Sequence, residues 1–189
     1  MNAMPCPDLE TRRLLLRKLS LADVDDLFQV FSDEETTVYV PRNKHVDKTE
    51  TLNHLKNLIK RMDEGKTLVW SVVDKKDKRV IGTVNLYLKQ DRAASIGAVI
   101  CRERWGKGIA TEALREVISF GFDQMELIRI EGKCESNHAA SEKVLKKLGM
   151  TYEGTLRKEV IINGIPRDVK VYSVLIDECN ASFRDVSMR

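Results

Sequence analysis

The 189-residue sequence lacks the features that mark several protein classes. No apolar run approaches the ~18 to 20 residues needed to span a bilayer, so we expect no membrane segment. The four cysteines lie far apart without a C-x-x-C pair, and the three histidines form no H-E-x-x-H motif, so neither a disulfide framework nor a metal site is expected. The first ten residues, MNAMPCPDLE, contain neither a basic n-region nor an apolar h-region, so we expect a cytoplasmic protein without a secretion signal.

The sequence also has no large excess of positive or negative charge. The chain has 32 Lys and Arg against 29 Asp and Glu, and this even balance argues against a nucleic-acid-binding surface. Hydrophobic residues make up 42% of the chain, which excludes a disordered protein. Because linkers, repeats and low-complexity tracts are absent as well, we expect one domain over residues 1–189, with a core at about 8–178 and a tail at about 179–189.

The apolar pattern changes period along the chain and predicts the element order βααβββαβαββ. Ser20 is a typical helix cap, and a second helix is predicted from about Asp47 to Glu64. Three strands then form a meander, and Asn163-Gly164 favours a tight hairpin turn near the end. The fold class is therefore α/β (α+β): a mixed, mostly antiparallel sheet of seven strands flanked by four helices.

The stretch RERWGKGIATEA, residues 102–113, places two glycines between a predicted strand, IGAVI, and a predicted helix. Unpaired N–H groups at a helix start attract an anion, and a phosphate group is the expected ligand. A P-loop is excluded because Cys101 stands where the first glycine is required and Gly108 follows Lys107. The dinucleotide fingerprint fails at Thr111, where its last glycine belongs.

Together with NHAASEKVLKKLGM downstream, RERWGKGIATEAL resembles the GNAT superfamily of acetyl-CoA-dependent N-acetyltransferases, specifically the RimJ/RimL type. The likeness runs from ETRRLLLRKLS to DVKVYSVLI and implies a GNAT fold. Two positions depart from the family pattern. Glu103 stands at the first position of the family pattern [QR]-x-x-G-x-[GA], where Gln or Arg is usual. Asn137 precedes Ser141 by four residues instead of three, so His138 occupies part of the place that the family asparagine has.

The resemblance implies that acetyl-CoA enters a V-shaped split between the strands IGAVI and LIRIEGKC. The pantetheine arm would pair with the backbone of the first strand, and the diphosphate would lie on the glycine turn, with charge added by Arg102, Arg104 and Lys107. The cofactor-binding residues implied in this way are Ala98, Val99, Ile100, Arg104, Trp105, Gly106, Lys107, Gly108, Ile109, Ala110, Thr111, Asn137 and Ser141.

The implied reaction is direct attack by an amine on the thioester. N–H groups at the end of IGAVI would serve the developing oxyanion. Ser141 is the first candidate for protonating the departing thiolate, and Tyr152 is the second. Some relatives carry a glutamate where Ser95 stands, so the base is left to Glu135 or to a chain of water molecules.

An α-amine, as in a ribosomal protein N-terminus, is the favoured acceptor because it needs less help to lose its proton than a lysine does. Small amines such as polyamines, amino sugars or antibiotics are the alternative, and Tyr39, Trp70 and Asn85 are expected to line the acceptor cleft. A non-catalytic CoA-binding sensor is an alternative of another class. The pattern leaves open whether the protein is a monomer or a homodimer.

Overall fold

The computed structural model describes residues 6–40 and 43–182, and within them the chain forms one eight-stranded sheet with helices on both faces. The strands are β1 Leu9–Glu10, β2 Leu14–Lys18, β3 Thr67–Asp74, β4 Arg79–Leu88, β5 Ala93–Ile100, β6 Arg129–Glu135, β7 Thr151–Ile162 and β8 Ile165–Leu175. The helices are α1 Val24–Phe31, α2 Glu34–Thr37, α3 Lys48–Asp63, α4 Ile109–Asp123, α5 Ala139–Lys147 and α6 Ile176–Ser182.

The strand order in the sheet is β1-β2-β3-β4-β5-β6-β8-β7. Every neighbouring pair is antiparallel except β5 and β6, which run parallel because α4 carries the chain back between them. The sheet is therefore mixed and mostly antiparallel, as the sequence predicts. Asn163 and Gly164 both have positive φ, 51° and 76°, and form the predicted turn between β7 and β8.

Each face of the sheet buries its own hydrophobic core. The larger core lies under α4 and α5 and includes Trp70 and Ile130, both fully buried. The smaller core lies under α1 and α3, where Phe31 and Leu55 pack against Val69 of β3. Alternate residues of β3 thus pack into opposite cores, as expected for a strand covered on both faces.

Asp23 ties the entry of α1 to the sheet. Its carboxylate accepts hydrogen bonds from the Arg17 guanidinium, from the Ser71 hydroxyl at 2.6 Å and from the Ser20 N–H at 3.0 Å. Burial alone would raise the pKa of Asp23, but these bonds outweigh it and hold the pKa below its usual value. Ser20 and Asp23 also form a reciprocal capping box, so the predicted cap at Ser20 is confirmed.

The predicted counts of strands and helices were too low. β1 has only two residues and α2 only four, and segments so short carry no recognisable period. The tail prediction also needs correction, because residues 176–182 form α6 and Cys179 is buried in the larger core. Residues 183–189 lie outside the described part of the chain.

Candidate active site

The parallel strands β5 and β6 separate halfway along their length. Their pairing ends at Ile96 and Gly132, although β5 continues to Ile100 and β6 to Glu135. Beyond that point β5 stays paired with β4 and β6 stays paired with β8, but β5 and β6 no longer pair with each other. The structure thus contains a V-shaped split between β5 and β6, the two strands for which the family resemblance implies one.

One edge of this split presents main-chain groups of β5. Cys101 N–H bonds Ile81 O at 2.8 Å and Lys89 N–H bonds Ala93 O at 2.9 Å, so the odd-numbered residues of β5 face β4. By the alternation of an antiparallel ladder, Ala98 and Ile100 turn their N–H and C=O groups to the split. The Ile100 carbonyl already accepts from the Trp105 indole N–H at 2.7 Å. The Ala98 N–H and C=O and the Ile100 N–H therefore have no partner in the described part of the chain and can pair with a ligand.

The ladder corrects the prediction for Val99. Its N–H and C=O face β4, where Val99 is opposite Thr83, so they are not available to pair with a pantetheine arm. Trp105 is 44% exposed, with its indole bonded across the end of β5, and is not a core residue.

The glycine turn follows β5 and opens α4. Gly106 and Gly108 have φ of 72° and 75°, a left-handed conformation that favours glycine. The first intrahelical bond runs from Glu112 N–H to Gly108 O at 3.0 Å. Among the described residues, the N–H groups of residues 106–111 find no acceptor, and Gly108 supplies no side-chain cap to α4. Six consecutive donors at the positive end of a helix dipole make this turn a ready anion site.

Both glycines leave open space where a side chain would stand. A Cβ on Gly106 would meet no atom within 4 Å, and one on Gly108 would meet only Arg13 Nη2 at 3.6 Å. Arg13 was missed by sequence reasoning, yet it donates to Lys107 O at 2.9 Å and to Glu112 Oε2 at 2.7 Å. No local signal indicates this role, because Arg13 lies about ninety residues before the turn.

The arginines before the turn contribute less than predicted. Arg104 pairs with Asp74 at 3.1 Å and with Asp77, and Arg102 pairs with Glu35 at 2.9 Å. The N–H groups of Arg104 and Trp105 are used within a short 3-10 turn. The anion cradle therefore begins at Gly106 and not at Arg104. Lys107 differs from these arginines, since its ammonium donates to the neutral carbonyl of Glu103 and keeps its charge for a ligand.

The other edge of the split ends in Glu135, Asn137 and His138. Glu135 is only 7% exposed and accepts from Asn137 N–H at 2.9 Å and from Asn137 Nδ2 at 3.3 Å. The His138 ring stacks on Tyr39, with 4.1 Å between ring centroids, and burial lowers the pKa of His138. This stack connects the segment after α2 to the loop after β6.

Ser141 lies in the first turn of α5, and its half-buried hydroxyl has no partner among the described residues. The next residue, Glu142, accepts from Lys146, Lys170 and Tyr172, each at 2.7 Å. These contacts lower the pKa of Glu142 to about 2. They fix α5, and with it Ser141, against β8.

Two predicted site residues do not lie in the split. Trp70 is fully buried, donates to Pro7 O at 2.7 Å and packs against Phe120, so it cannot line an acceptor cleft. Tyr152 stands on the edge strand β7, two strand spacings or about 10 Å from β6 because β8 intervenes. Its hydroxyl bonds Thr155 Oγ1 at 2.7 Å. Tyr152 is therefore a poor candidate for protonating the thiolate.

Asn85 and Tyr39 fit their predicted places better. Asn85 is half-buried on β4 beside Gly97, at the point where the split opens, and donates to Tyr87 Oη at 2.6 Å. Tyr39 is 40% exposed and stacks on His138 at the end of β6. Within the described residues, no group of histidine, cysteine, aspartate and glutamate could hold a metal ion, and no helix is both long and apolar enough to cross a bilayer.

A split sheet that leads to an anion cradle suits an extended ligand with a diphosphate at its middle, the class to which acyl-coenzyme A belongs. Comparison with known proteins agrees. The acetyltransferase (GNAT) domain family matches residues 13–151. The uncharacterized N-acetyltransferase p20 of Bacillus licheniformis is 36% identical over 169 residues, which cover 88% of this chain and 95% of that protein.

Solved structures share the fold. An acetyltransferase from T. thermophilus superposes with a TM-score of 0.86 at 24% identity, covering 100% of this chain and 99% of its own. The ribosomal-protein-S5-alanine acetyltransferase of Vibrio fischeri has a TM-score of 0.79 at 25% identity, covering 90% and 97%. The chain belongs to the GNAT acetyltransferase family, and it is an acetyl-CoA-dependent N-acetyltransferase.

Proposed function

We propose that this N-acetyltransferase acetylates the α-amine of a protein or peptide N-terminus, with acetyl-CoA held in the split between β5 and β6. The observation that carries the cofactor placement is the run of six unpaired N–H groups at residues 106–111, next to the free main-chain edge at Ala98 and Ile100. The pantetheine arm pairs with that edge, and the diphosphate lies on the cradle with Lys107 beside it.

The chain's own groups supply the rest of the chemistry. Acetyl-CoA brings an activated acetyl group, to which the amine nitrogen forms a bond as the carbon–sulfur bond breaks. The Ala98 N–H donates to the carbonyl oxygen as it gains negative charge. Ser141 donates a proton to the leaving sulfur and regains one from solvent, and Glu135 takes the proton that the amine loses and releases it to solvent. The free Ser141 hydroxyl and the buried Glu135 carboxylate support these roles.

The weak base favours an α-amine as the acceptor. Glu135 already accepts two hydrogen bonds from Asn137, and Ser95 offers no carboxylate. An α-amine has a pKa of about 7.7 to 8.0, so a sizeable fraction is neutral near pH 7.5, whereas a lysine pKa of about 10.4 leaves about one molecule in a thousand neutral. The likeness to the ribosomal-protein-S5-alanine acetyltransferase of Vibrio fischeri points to the same class of acceptor.

A small polycationic amine is the second candidate, and one feature favours it. A groove of about 800 Å³ contains the carboxylates Asp25, Asp26 and Asp33 of the N-terminal helical region. These carboxylates are already occupied, however. Asp25 pairs with Lys48, Asp26 accepts from Arg79 and Val80, and Asp33 caps α2. We therefore place the α-amine first.

Release of free CoA thiol from acetyl-CoA tests the proposal directly. Peptides with a free N-terminus are expected to release thiol at a rate proportional to enzyme, and the same peptides with a blocked α-amine and a free lysine are expected to be inactive. Polyamines and aminoglycosides serve as the competing acceptors. Faster turnover with these small amines than with any free N-terminus would overturn the assignment.

A further inference from the structure

The segment between β1 and β2 contacts both α4 and the glycine turn through one side chain, Arg13. Its Nε–H donates to Glu112 Oε2 at 2.7 Å, and its Nη1–H donates to the main-chain oxygen of Lys107 at 2.9 Å. Glu112 lies in the first turn of α4, and Lys107 stands between the two glycines of the cradle. The Arg13 guanidinium therefore joins the cradle to the helix that follows it.

The Arg13 side chain is itself held in one orientation by Glu112. The second carboxylate oxygen, Oε1, accepts from the Thr11 hydroxyl at 2.6 Å and from the Arg13 N–H at 2.9 Å. Burial alone would raise the pKa of Glu112, but the bonds from Thr11 and Arg13 outweigh it and hold the pKa below its usual value. Glu112 is therefore a carboxylate at neutral pH, and a charge-assisted pair fixes the guanidinium beside the turn.

The bond from Arg13 to Lys107 O fixes a peptide group that could otherwise rotate. In a planar trans peptide the carbonyl oxygen and the following N–H point in opposite directions, so an oxygen held towards Arg13 turns the Gly108 N–H away from it. Gly108 has φ of 75°, and glycine adopts positive and negative φ about equally readily. Without this bond the Gly108 N–H has no set direction.

The pair between Arg13 and Glu112 has a second effect, on charge. Glu112 lies next to the six unpaired N–H groups at residues 106–111, where a lone carboxylate would repel a diphosphate. The guanidinium neutralises this carboxylate. The two effects can be separated by experiment, because one depends on the bond to Lys107 O and the other on the charge of Glu112.

We infer that Arg13 is a positioning residue for acetyl-CoA binding: it holds the peptide between Lys107 and Gly108 so that the Gly108 N–H faces the coenzyme diphosphate. The inference rests on the proposed placement of the diphosphate on the cradle. Because this peptide is oriented before the ligand arrives, less conformational entropy is lost on binding.

The chemical step is expected not to depend on Arg13. Among the described residues, Arg13 forms no hydrogen bond with β5, β6 or α5, the elements between which acetyl transfer is proposed. Loss of Arg13 should therefore weaken binding of acetyl-CoA and leave turnover at saturation unchanged.

Titration calorimetry and steady-state kinetics with acetyl-CoA test the inference on the wild-type protein and three variants. Arg13→Met removes the guanidinium but keeps the main-chain N–H that bonds Glu112. The double variant Arg13→Met, Glu112→Gln also removes the carboxylate charge, so it separates positioning from neutralisation.

The control is Lys75→Met. Lys75 donates to Glu10 Oε2 at 3.0 Å and to Thr11 O at 2.7 Å, so it fixes the same segment without contacting the turn or α4. Thermal unfolding confirms that each variant is folded. The kinetics use the free amine that releases thiol fastest with the wild-type protein.

Arg13→Met is expected to raise the dissociation constant and the KM for acetyl-CoA about tenfold, the effect of one charge-assisted hydrogen bond, with kcat unchanged. The double variant is expected to bind as weakly, because removing the carboxylate does not orient the peptide. Lys75→Met is expected to bind like the wild-type protein. In amide NMR spectra, the Gly108 signal should be sharp in the wild-type protein and broadened by exchange in both Arg13 variants.

Wild-type affinity in Arg13→Met, full recovery of affinity in the double variant, an equal loss in Lys75→Met or a parallel fall in kcat overturns the inference alone. Failure of the wild-type protein to bind acetyl-CoA overturns the proposed function as well.

Discussion

Replacing Gly106 with valine tests the anion cradle, and the structure provides a matched control in Gly164. Gly106 and Gly164 have φ of 72° and 76°, and an added Cβ would meet no atom within 4 Å at either position. An L-residue in this conformation costs roughly 1 to 2 kcal/mol, and a β-branched one is strained further. Both variants are therefore expected to lose a similar amount of unfolding free energy.

Only the Gly106 variant is expected to lose affinity for acetyl-CoA. The open space at Gly106 is where the diphosphate is proposed to lie, so a valine side chain would displace it from one of the six N–H donors. Charge-assisted hydrogen bonds contribute about 1.5 to 3 kcal/mol each, so the dissociation constant should rise about 10- to 100-fold. Gly164 lies in the β7–β8 turn, and its replacement should leave the constant unchanged.

Urea unfolding and titration calorimetry measure the two quantities separately. The reasoning is refuted if Gly106→Val binds acetyl-CoA within about twofold of wild type while showing the expected loss of stability. It is also refuted if Gly164→Val loses the same affinity, because the loss would then reflect general destabilisation and not the cradle.

Four further predictions concern three single residues. Ser141→Ala should lower kcat while the calorimetric affinity for acetyl-CoA is unchanged, and equal kcat would remove Ser141 from the mechanism. Asp23→Ala should cost about 1 to 3 kcal/mol of unfolding free energy, because it leaves the buried Ser71 hydroxyl and the Ser20 N–H without their acceptor, and a loss below about 0.5 kcal/mol in urea unfolding would contradict this. Because folding lowers the pKa of Asp23, the stabilisation by its carboxylate is complete above about pH 4 and disappears as the pH falls through the folded-state pKa. In acid unfolding, the stabilities of the wild-type protein and of Asp23→Ala should therefore converge at low pH. Trp70→Phe should cost about 2 to 3 kcal/mol, by removing the hydrogen bond to Pro7 O and leaving a cavity in the core, and should leave acceptor KM unchanged, whereas a changed KM would indicate that Trp70 contacts the acceptor.

The local features of the fold were predictable because each depends on neighbours in the chain. The capping box at Ser20 and Asp23 and the turn at Asn163 and Gly164 are set by residues within a few positions of one another. Most helices and strands follow from the period of their apolar residues in the same way. β1 and α2 were missed because each is held by tertiary contacts and is too short to show a period.

The features of the candidate site were likewise predictable only where they depend on neighbouring residues in the chain. Two glycines before a helix, with no capping side chain, predict an anion-binding turn at Gly106 and Gly108 without any knowledge of the rest of the molecule. The sequence alone could not show that the Arg104 guanidinium forms ion pairs with Asp74 and Asp77, nor that Trp70 faces the core. Both depend on which side of a strand or turn packs against distant residues.

By itself, then, the sequence determined the order of the longer elements, the hairpin turn at Asn163 and Gly164 and the cradle of N–H donors, because these follow from backbone preferences and periodicity over a few residues. Only the tertiary structure decided where β5 and β6 part, which β5 residues turn their main-chain groups to the split, and which acids pair with the arginines before the glycine turn. The physical reason is that strand register and ion pairing join residues far apart in the chain, and their partners are chosen by packing the whole sheet.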